Sequence, residues 1–196
     1  MKKYIILVLF FLGFNCLWSN TWKETYQQAS KYIESGEYYA ALKSARQSVE
    51  FANKEFGKES EYHSQTYNII GEIFFKLNDY DESIEYFKKA IELKRITLGS
   101  NHPSYAISLH NLANVYQTLG RYSQAEPLLV EAIKIKEANG SDIASLAKSY
   151  QNLAQIFQQD SRYYEAEFYY KKALEMKKKS LNADDQIGRA SCRERV

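Results

Sequence analysis

A tyrosine in a fixed setting of small residues recurs along this chain at an almost constant spacing, and this internal repeat limits the possible folds more than any other feature. The tyrosines are 42, 42 and 41 residues apart, at Tyr38, Tyr80, Tyr122 and Tyr163. A small residue stands nine positions before each tyrosine, at Ala29, Gly71, Ala113 and Ala154. Because antiparallel helices approach to about 8–10 Å only where the facing residues are small, the pattern predicts four stacked helix pairs.

Composition and turn signals place the helices within this repeat. The 196 residues include only 2 prolines, and Pro103 stands where it can begin a helix, four residues after Gly99 can end the one before. The expected fold class is all-α, an α-α superhelix of about four helix pairs. The predicted helices lie near residues 21–34, 37–56, 60–77, 80–98, 103–119, 122–138, 142–160 and 163–181.

Residues 90–137 carry the motifs of a known repeat family. They contain "LG..HP" at 98–103, "NLA" at 111–113, and "GRY" and "AEPLL" in the helix pair that follows. These motifs resemble the tetratricopeptide repeat in its longer, kinesin-light-chain form of about 42 residues. The resemblance covers residues 22–185 and implies a right-handed solenoid whose first helices line a groove that binds a peptide or protein segment. The implied repeats are at about 22–59, 60–101, 102–141 and 142–185.

The first twenty residues have the layout of a bacterial export signal. Lys2 and Lys3 precede an uncharged apolar run at residues 4–14, which is shorter than the roughly 20 residues of a membrane-spanning helix. We predict a signal peptide at residues 1–19 and a periplasmic or cell-envelope location. In the alternative, "LGFNC" is a lipoprotein signal cut before Cys16, and lipid on Cys16 would hold the protein on a membrane surface.

The last ten residues, "IGRASCRERV" at 187–196, differ from everything before them. They lack a helical apolar stripe, and they resemble a short-read sequencing adapter translated in frame. We therefore expect that they are not native and that the natural protein is longer. Without them and without Lys2 and Lys3, the formal net charge falls from +2 to −2, so no basic excess is left for a nucleic acid partner.

No arrangement of residues for catalysis or metal binding stands out. His63, His102 and His110 lack the four-residue spacing of a helical zinc site. The sequence also has no glycine-rich phosphate loop and no pair of cysteines that could bind a metal. These observations predict a protein that is not an enzyme and that needs no cofactor.

The remaining functional surface is the groove that the first helices would line. Counting from the repeated tyrosine, we predict partner-binding positions at Asn68, Glu72, His110, Asn111, Asn114, Lys148, Gln151, Asn152 and Gln155. Most are amides, which both donate and accept hydrogen bonds and can therefore bind the backbone of an extended peptide. By the resemblance, Asn111 and Asn152 match the family's groove-lining asparagine. A merely solvated helix face is the alternative, because Gln is also a good helix former.

Two other roles are compatible with such a solenoid. It could be a structural or self-assembling component of the cell envelope. It could also be the sensory or regulatory repeat arm of a longer protein. Both would use the surface of the helices rather than a catalytic centre.

Overall fold

Eight α-helices follow one another in the computed structural model, which describes residues 21–140 and 142–193, with side chains as far as Ser180. Within these ranges every regular element is a helix, as predicted, and none of the helices is long and apolar enough to cross a membrane. The predicted signal segment 1–19, with Cys16, lies outside the described residues. The helices are α1 (Trp22–Glu34), α2 (Tyr38–Phe56), α3 (Glu61–Lys76), α4 (Tyr80–Thr97), α5 (Pro103–Thr118), α6 (Tyr122–Ala138), α7 (Ile143–Gln159) and α8 (Tyr163–Arg193).

The predicted helix boundaries are accurate except at the end of α8. Helices α1 to α7 begin and end within one residue of the prediction, but α8 runs to Arg193 and not to residue 181. A glycine in the left-handed conformation readily ends a helix, and Gly99, at φ 87°, follows α4 in this way. Residues 181–186, where α8 was expected to end, contain neither glycine nor proline. No residue there forces the backbone out of the helix.

The helices form four antiparallel pairs, and the pairs stack in order along the chain. Each first helix (α1, α3, α5 or α7) packs on the second helix that follows it, and each second helix packs on the next first helix. Successive first helices also touch one another, whereas among the described residues no second helix contacts another second helix. The stack therefore curves, with the first helices on its concave side, and the predicted superhelix of four pairs is confirmed.

The turn inside each pair has one residue in the left-handed conformation, two positions before the repeated tyrosine. These residues are Gly36, Asn78, Gly120 and Ser161, with φ between 59° and 79°. The next N–H donates to the carbonyl of the aromatic residue that precedes the turn, as Arg121 does to Tyr116 at 2.8 Å. This bond reverses the chain within a few residues. The aromatic residue that accepts this bond and the repeated tyrosine thus lie at the two ends of a turn that has the same geometry in all four pairs.

The small residues nine positions before the repeated tyrosines lie at the closest contact between paired helices. Ala29, Ala113 and Ala154 are fully buried there. The second pair has Gly71 at this position because Phe87 lies opposite. A Cβ on Gly71 would lie 2.9 Å from Cδ1 of the Phe87 ring, closer than real Cβ contacts. In the third pair, alanine at this position is matched by Leu129 on the facing helix.

We expect Gly71→Ala to lower the free energy of unfolding by about 1–2 kcal/mol, because the clash with Phe87 outweighs the gain of up to about 1 kcal/mol in helix propensity. Chemical unfolding followed by circular dichroism measures the change. The double variant Gly71→Ala/Phe87→Leu copies the Ala113–Leu129 pair and should recover at least half of the loss. A more stable single variant would show that the ring moves away freely.

Candidate functional site

The concave face carries most of the side chains that the sequence analysis assigned to a groove. Seven of them are half-buried on α3, α5 and α7, and Lys148 is exposed. The half-buried residues are Asn68, Glu72, Asn111, Asn114, Gln151, Asn152 and Gln155. Glu72 lies near Tyr26 of α1, and burial together with the Glu72 carboxylate raises the pKa of that phenol. Eight of the nine predicted positions therefore lie on the accessible side of the first helices.

Amide side chains on neighbouring first helices are hydrogen-bonded to each other, and we call these three bonds the amide ladder. Each bond crosses from one first helix to the next, which keeps the amide planes in fixed orientations. The pairs are Asn111 Nδ2 to Asn68 Oδ1 at 3.4 Å, Asn152 Nδ2 to Asn114 Oδ1 at 2.6 Å, and Gln117 Nε2 to Gln155 Oε1 at 3.0 Å. Gln117 is outside the nine predicted partner-binding positions, although the same repeat register places it on the groove face.

Beneath the amide ladder, two lysines of the second helices reach into the interface with the next pair. Lys94 of α4 donates to Ser108 Oγ of α5 at 2.8 Å and to the Ser104 carbonyl at 3.0 Å. One repeat later, Lys136 of α6 donates to Ser149 Oγ of α7 at 2.8 Å. We call these contacts the lysine–serine bridges. Both lysines are only 4% exposed, so each bridge joins two helix pairs from inside their buried interface.

Each lysine–serine bridge continues to a side chain of the preceding first helix. Ser108 Oγ donates to Asn68 Oδ1 at 2.8 Å, and Ser149 Oγ shares a hydrogen bond of 3.1 Å with His110 Nδ1. Asn68 and His110 occupy the same position in their repeats, twelve residues before the tyrosine. The two interfaces therefore repeat one polar chain of lysine, serine, and amide or imidazole.

His110 requires a correction to the predicted site. It was expected on the open groove surface, but it is only 6% exposed and lies against Ser149. Burial, with the Lys136 and Lys148 cations nearby, lowers the pKa of His110 to about 3. A neutral imidazole in this position stabilises the interface between helix pairs and is not presented to a ligand.

The buried lysines are the functional feature that sequence reasoning missed. Burial lowers the pKa of Lys94 to about 8, against an opposing effect of Glu61. Burial and the Lys148 cation lower the pKa of Lys136 to about 8, against an opposing effect of Asp142. One signal was available, because lysine and serine both recur at the repeat spacing. A lysine in a helix nevertheless looks solvated until its neighbouring helix is placed.

Neither lysine–serine bridge is placed for catalysis, although a lysine near a serine can activate it as a nucleophile. Ser108 and Ser149 are both fully buried, so no substrate atom can reach their hydroxyl oxygens.

In the described part of the chain no three His, Cys, Asp or Glu side chains are grouped as a metal site. His102, which the sequence placed in a loop, accepts the backbone N–H of Ser104 through Nδ1 at 3.1 Å and caps α5. The amide side chains of this surface offer donors and acceptors for hydrogen bonds.

Family models for the tetratricopeptide repeat match most of the described residues. One model matches residues 20–96 and 63–138, and a second matches residues 146–187. Among curated proteins, nephrocystin-3 of Xenopus tropicalis is 28% identical over 102 residues, which are 52% of this chain and 7% of that protein. Protein KINESIN LIGHT CHAIN-RELATED 3 of Arabidopsis thaliana is 27% identical over 75 residues, 38% of this chain and 12% of that protein.

A solved structure has the same arrangement of helices. BtubC (BKLC) from P. vanneervenii superimposes with a TM-score of 0.76 at 18% identity, over 82% of this chain and 64% of that one. At this identity the likeness concerns the fold alone. The chain spans less than two thirds of each of these three proteins.

Proposed function

The chain belongs to the tetratricopeptide repeat family, and from that premise we propose that it is a non-catalytic scaffold which binds a peptide or protein segment along its concave face. The predicted resemblance to the kinesin-light-chain type of repeat is confirmed by the Arabidopsis relative. We further propose that the partner is a protein and not a nucleic acid, since the predicted groove positions carry amides and only one lysine, Lys148.

The amide ladder is the observation that carries this proposal. A primary amide has two N–H donors and two acceptor lone pairs, so one bond within the ladder leaves most of its hydrogen-bonding capacity for a partner. The ladder bonds also hold the amides in place before a partner arrives. A partner that meets ordered side chains loses less conformational entropy on binding. Amides are suited to the backbone of an extended segment, since that backbone offers both N–H and C=O groups.

We expect Asn111→Ala/Asn152→Ala to weaken binding of a selected peptide about 10- to 100-fold, if each lost hydrogen bond contributes about 0.5–1.5 kcal/mol. The peptide would come from a random library displayed on phage and selected against the unchanged protein. Fluorescence anisotropy with the synthetic peptide then gives the dissociation constant. Circular dichroism at the assay temperature checks that the variant is folded.

A matched control removes two exposed amides from the outer helices, as Gln47→Ala/Gln124→Ala. This control should bind the selected peptide with unchanged affinity. If the groove variant binds as tightly as the unchanged protein, or if both variants lose affinity equally, the concave face is not the binding surface and the proposal is wrong.

We also propose that the protein is exported to the periplasm or cell envelope, with residues 1–19 as its signal or with lipid on Cys16. The support is the sequence pattern of two lysines followed by an apolar run. Intact mass measurement of the protein recovered from a bacterial host decides between the forms. A mass that retains residues 1–19 unmodified contradicts both.

A further inference from the structure

Each interface between helix pairs directs a group that can only donate hydrogen bonds at the same hydroxyl position, fourteen residues before the repeated tyrosine. These hydroxyls belong to Thr66, Ser108 and Ser149. Their donors are Trp22 Nε1, at 2.9 Å, and the ammonium groups of Lys94 and Lys136. An indole N–H and an ammonium group cannot accept a hydrogen bond. Each hydroxyl oxygen must therefore accept, and its own proton is directed to another acceptor.

Only the second interface sends this proton to the concave face alone. Thr66 donates to a carbonyl of its own helix at 2.9 Å, and Ser149 has such a carbonyl at 3.1 Å as well as His110. Among the described residues, the proton of Ser108 has one acceptor, Asn68 Oδ1, at 2.8 Å.

The bond from Ser108 fixes the orientation of the Asn68 amide. Its oxygen accepts from Ser108 and, at 3.4 Å, from Asn111 Nδ2, which occupies both lone pairs. Its Nδ2 has no partner within the described chain. Because no buried side-chain nitrogen or oxygen in that part of the chain lacks a partner, Nδ2 of Asn68 is accessible, and its two N–H donors are open to a ligand in the groove.

The next bond of the amide ladder has no such constraint. Asn152 and Asn114 bond to each other at 2.6 Å, and neither is joined to a lysine–serine bridge in the described residues. The two amides can turn over together and exchange donor with acceptor. The groove thus has one amide pair of fixed polarity beside one of reversible polarity.

We propose that Lys94 is a positioning residue for the groove: through Ser108 it holds Asn68 as a hydrogen-bond donor, so that a bound segment must place a backbone carbonyl oxygen opposite Asn68 Nδ2. This inference rests on the proposed function of the concave face. Lys94 does not touch the partner, because it is buried beneath Ser108. A segment that offers an N–H at this point meets two N–H donors and binds poorly.

Removal of the ammonium group should release the amide. The Ser108 hydroxyl can then donate to the Ser104 carbonyl, as helical serines often do four residues back, and can accept from Asn68 Nδ2. We expect Lys94→Met to weaken binding of the selected peptide about two- to tenfold, as the fraction of correctly oriented amide falls to between about a half and a tenth. Fluorescence anisotropy measures the change.

Lys136→Met is the matched control. This lysine is as buried as Lys94, but its bridge leads to the buried His110 and not to an accessible amide. The variant should therefore bind the peptide with unchanged affinity. Circular dichroism checks that both variants are folded.

Substitutions of Asn68 separate positioning from support of the fold. The carboxylate in Asn68→Asp can still accept from Ser108 but presents an acceptor to the partner, so the affinity should fall at least about tenfold. Adding Lys94→Met to Asn68→Ala should weaken binding no further, because Lys94 acts only through Asn68. A lysine that merely stabilised the interface would not show this coupling.

NMR tests the orientation without a partner. In the free chain, the nuclear Overhauser contact between the Asn68 Nδ2 protons and the Ser108 β-protons should be weak, and it should become strong in Lys94→Met. A contact that is already strong in the unchanged chain would mean that the amide lies the other way round, which overturns the inference.

The affinity results also distinguish this inference from the proposed function. If Asn111→Ala/Asn152→Ala weakens binding but Lys94→Met and Lys136→Met bind alike, or Asn68→Asp keeps full affinity, only the role of Lys94 is refuted. If the groove variant binds normally, or if the library yields no peptide, the proposed function fails and this inference fails with it.

Discussion

Raising the pH from 8 to 10 is expected to increase the free energy of unfolding by roughly 4–5 kcal/mol, as the sum of the contributions of Lys94 and Lys136. The lysines lose their protons near pH 8 in the folded state, but only near pH 10.4 in the unfolded state. Between these values the unfolded state binds more protons, so the free energy of unfolding rises with pH. Below pH 8 both states are protonated, and these two groups add no pH dependence.

The rise should end near pH 10, because buried tyrosines act in the opposite direction. Burial raises the pKa of several phenols, among them Tyr26, Tyr67 and Tyr105. Above pH 10 unfolded tyrosines lose protons that the folded ones retain, which favours the unfolded state. A stability maximum near pH 10 is therefore the expected signature of the lysines.

Urea unfolding at pH 7, 8, 9 and 10 measures this effect. The variant Lys94→Met/Lys136→Met should be nearly flat between pH 8 and 10. At pH 7 it should be at least as stable as the unchanged protein, since a well-packed apolar residue often replaces a buried charge without loss. Lys177→Met removes an exposed lysine from the same register and should retain the slope. An unchanged slope in the double variant would assign the pH dependence to other groups.

Acidification from pH 6.5 to 4 is expected to destabilise the folded chain by about 3 kcal/mol through His110. Its pKa is about 3 in the folded state and near 6.5 in the unfolded state. A group with a lowered pKa stabilises the fold above the unfolded value, and this contribution is lost as the pH falls towards the folded value. Burial lowers the pKa of His63 as well, and that shift acts in the same direction.

The decisive variant is His110→Asn, because asparagine is the residue that α3 carries at the same position, where it accepts a hydrogen bond from Ser108. We expect this variant to remain folded and to lose most of the slope between pH 6.5 and 5. His102→Asn can still cap α5 and should keep the full slope. Thermal unfolding at half-unit steps of pH provides the measurement. A slope that survives in His110→Asn would assign the loss of stability in acid to other groups, His63 among them.

The helices could be predicted closely from the sequence, and the reasons are local. Gly99 and Pro103 end one helix and begin the next, and the tyrosine register marks each turn inside a pair. The predicted end of α8 at residue 181 was wrong, because residues 181–186 contain neither glycine nor proline that would stop the helix there.

The side chains of the concave face could be predicted only in part. The register correctly placed Asn111 and Asn152 on one surface, but it could not show that they bond to Asn68 and Asn114 on neighbouring helices. It placed His110 on the groove although the structure buries it. A position twelve residues before the tyrosine points to the boundary between groove and interface, and small rotations of the helix decide which side it faces.

The sequence by itself determined that this protein is a stack of four helix pairs, because periodic small and aromatic residues dictate which helix faces can approach. Only the tertiary structure decided which polar residues are buried. Lys94, Lys136 and Lys177 occupy the same position in three successive repeats, yet the first two are 4% exposed and the third is exposed. In a solenoid, a residue of one repeat is buried by the repeat stacked on it. A lysine at one position of the repeat can therefore be buried, with a lowered pKa, or solvated, depending on which helix covers it.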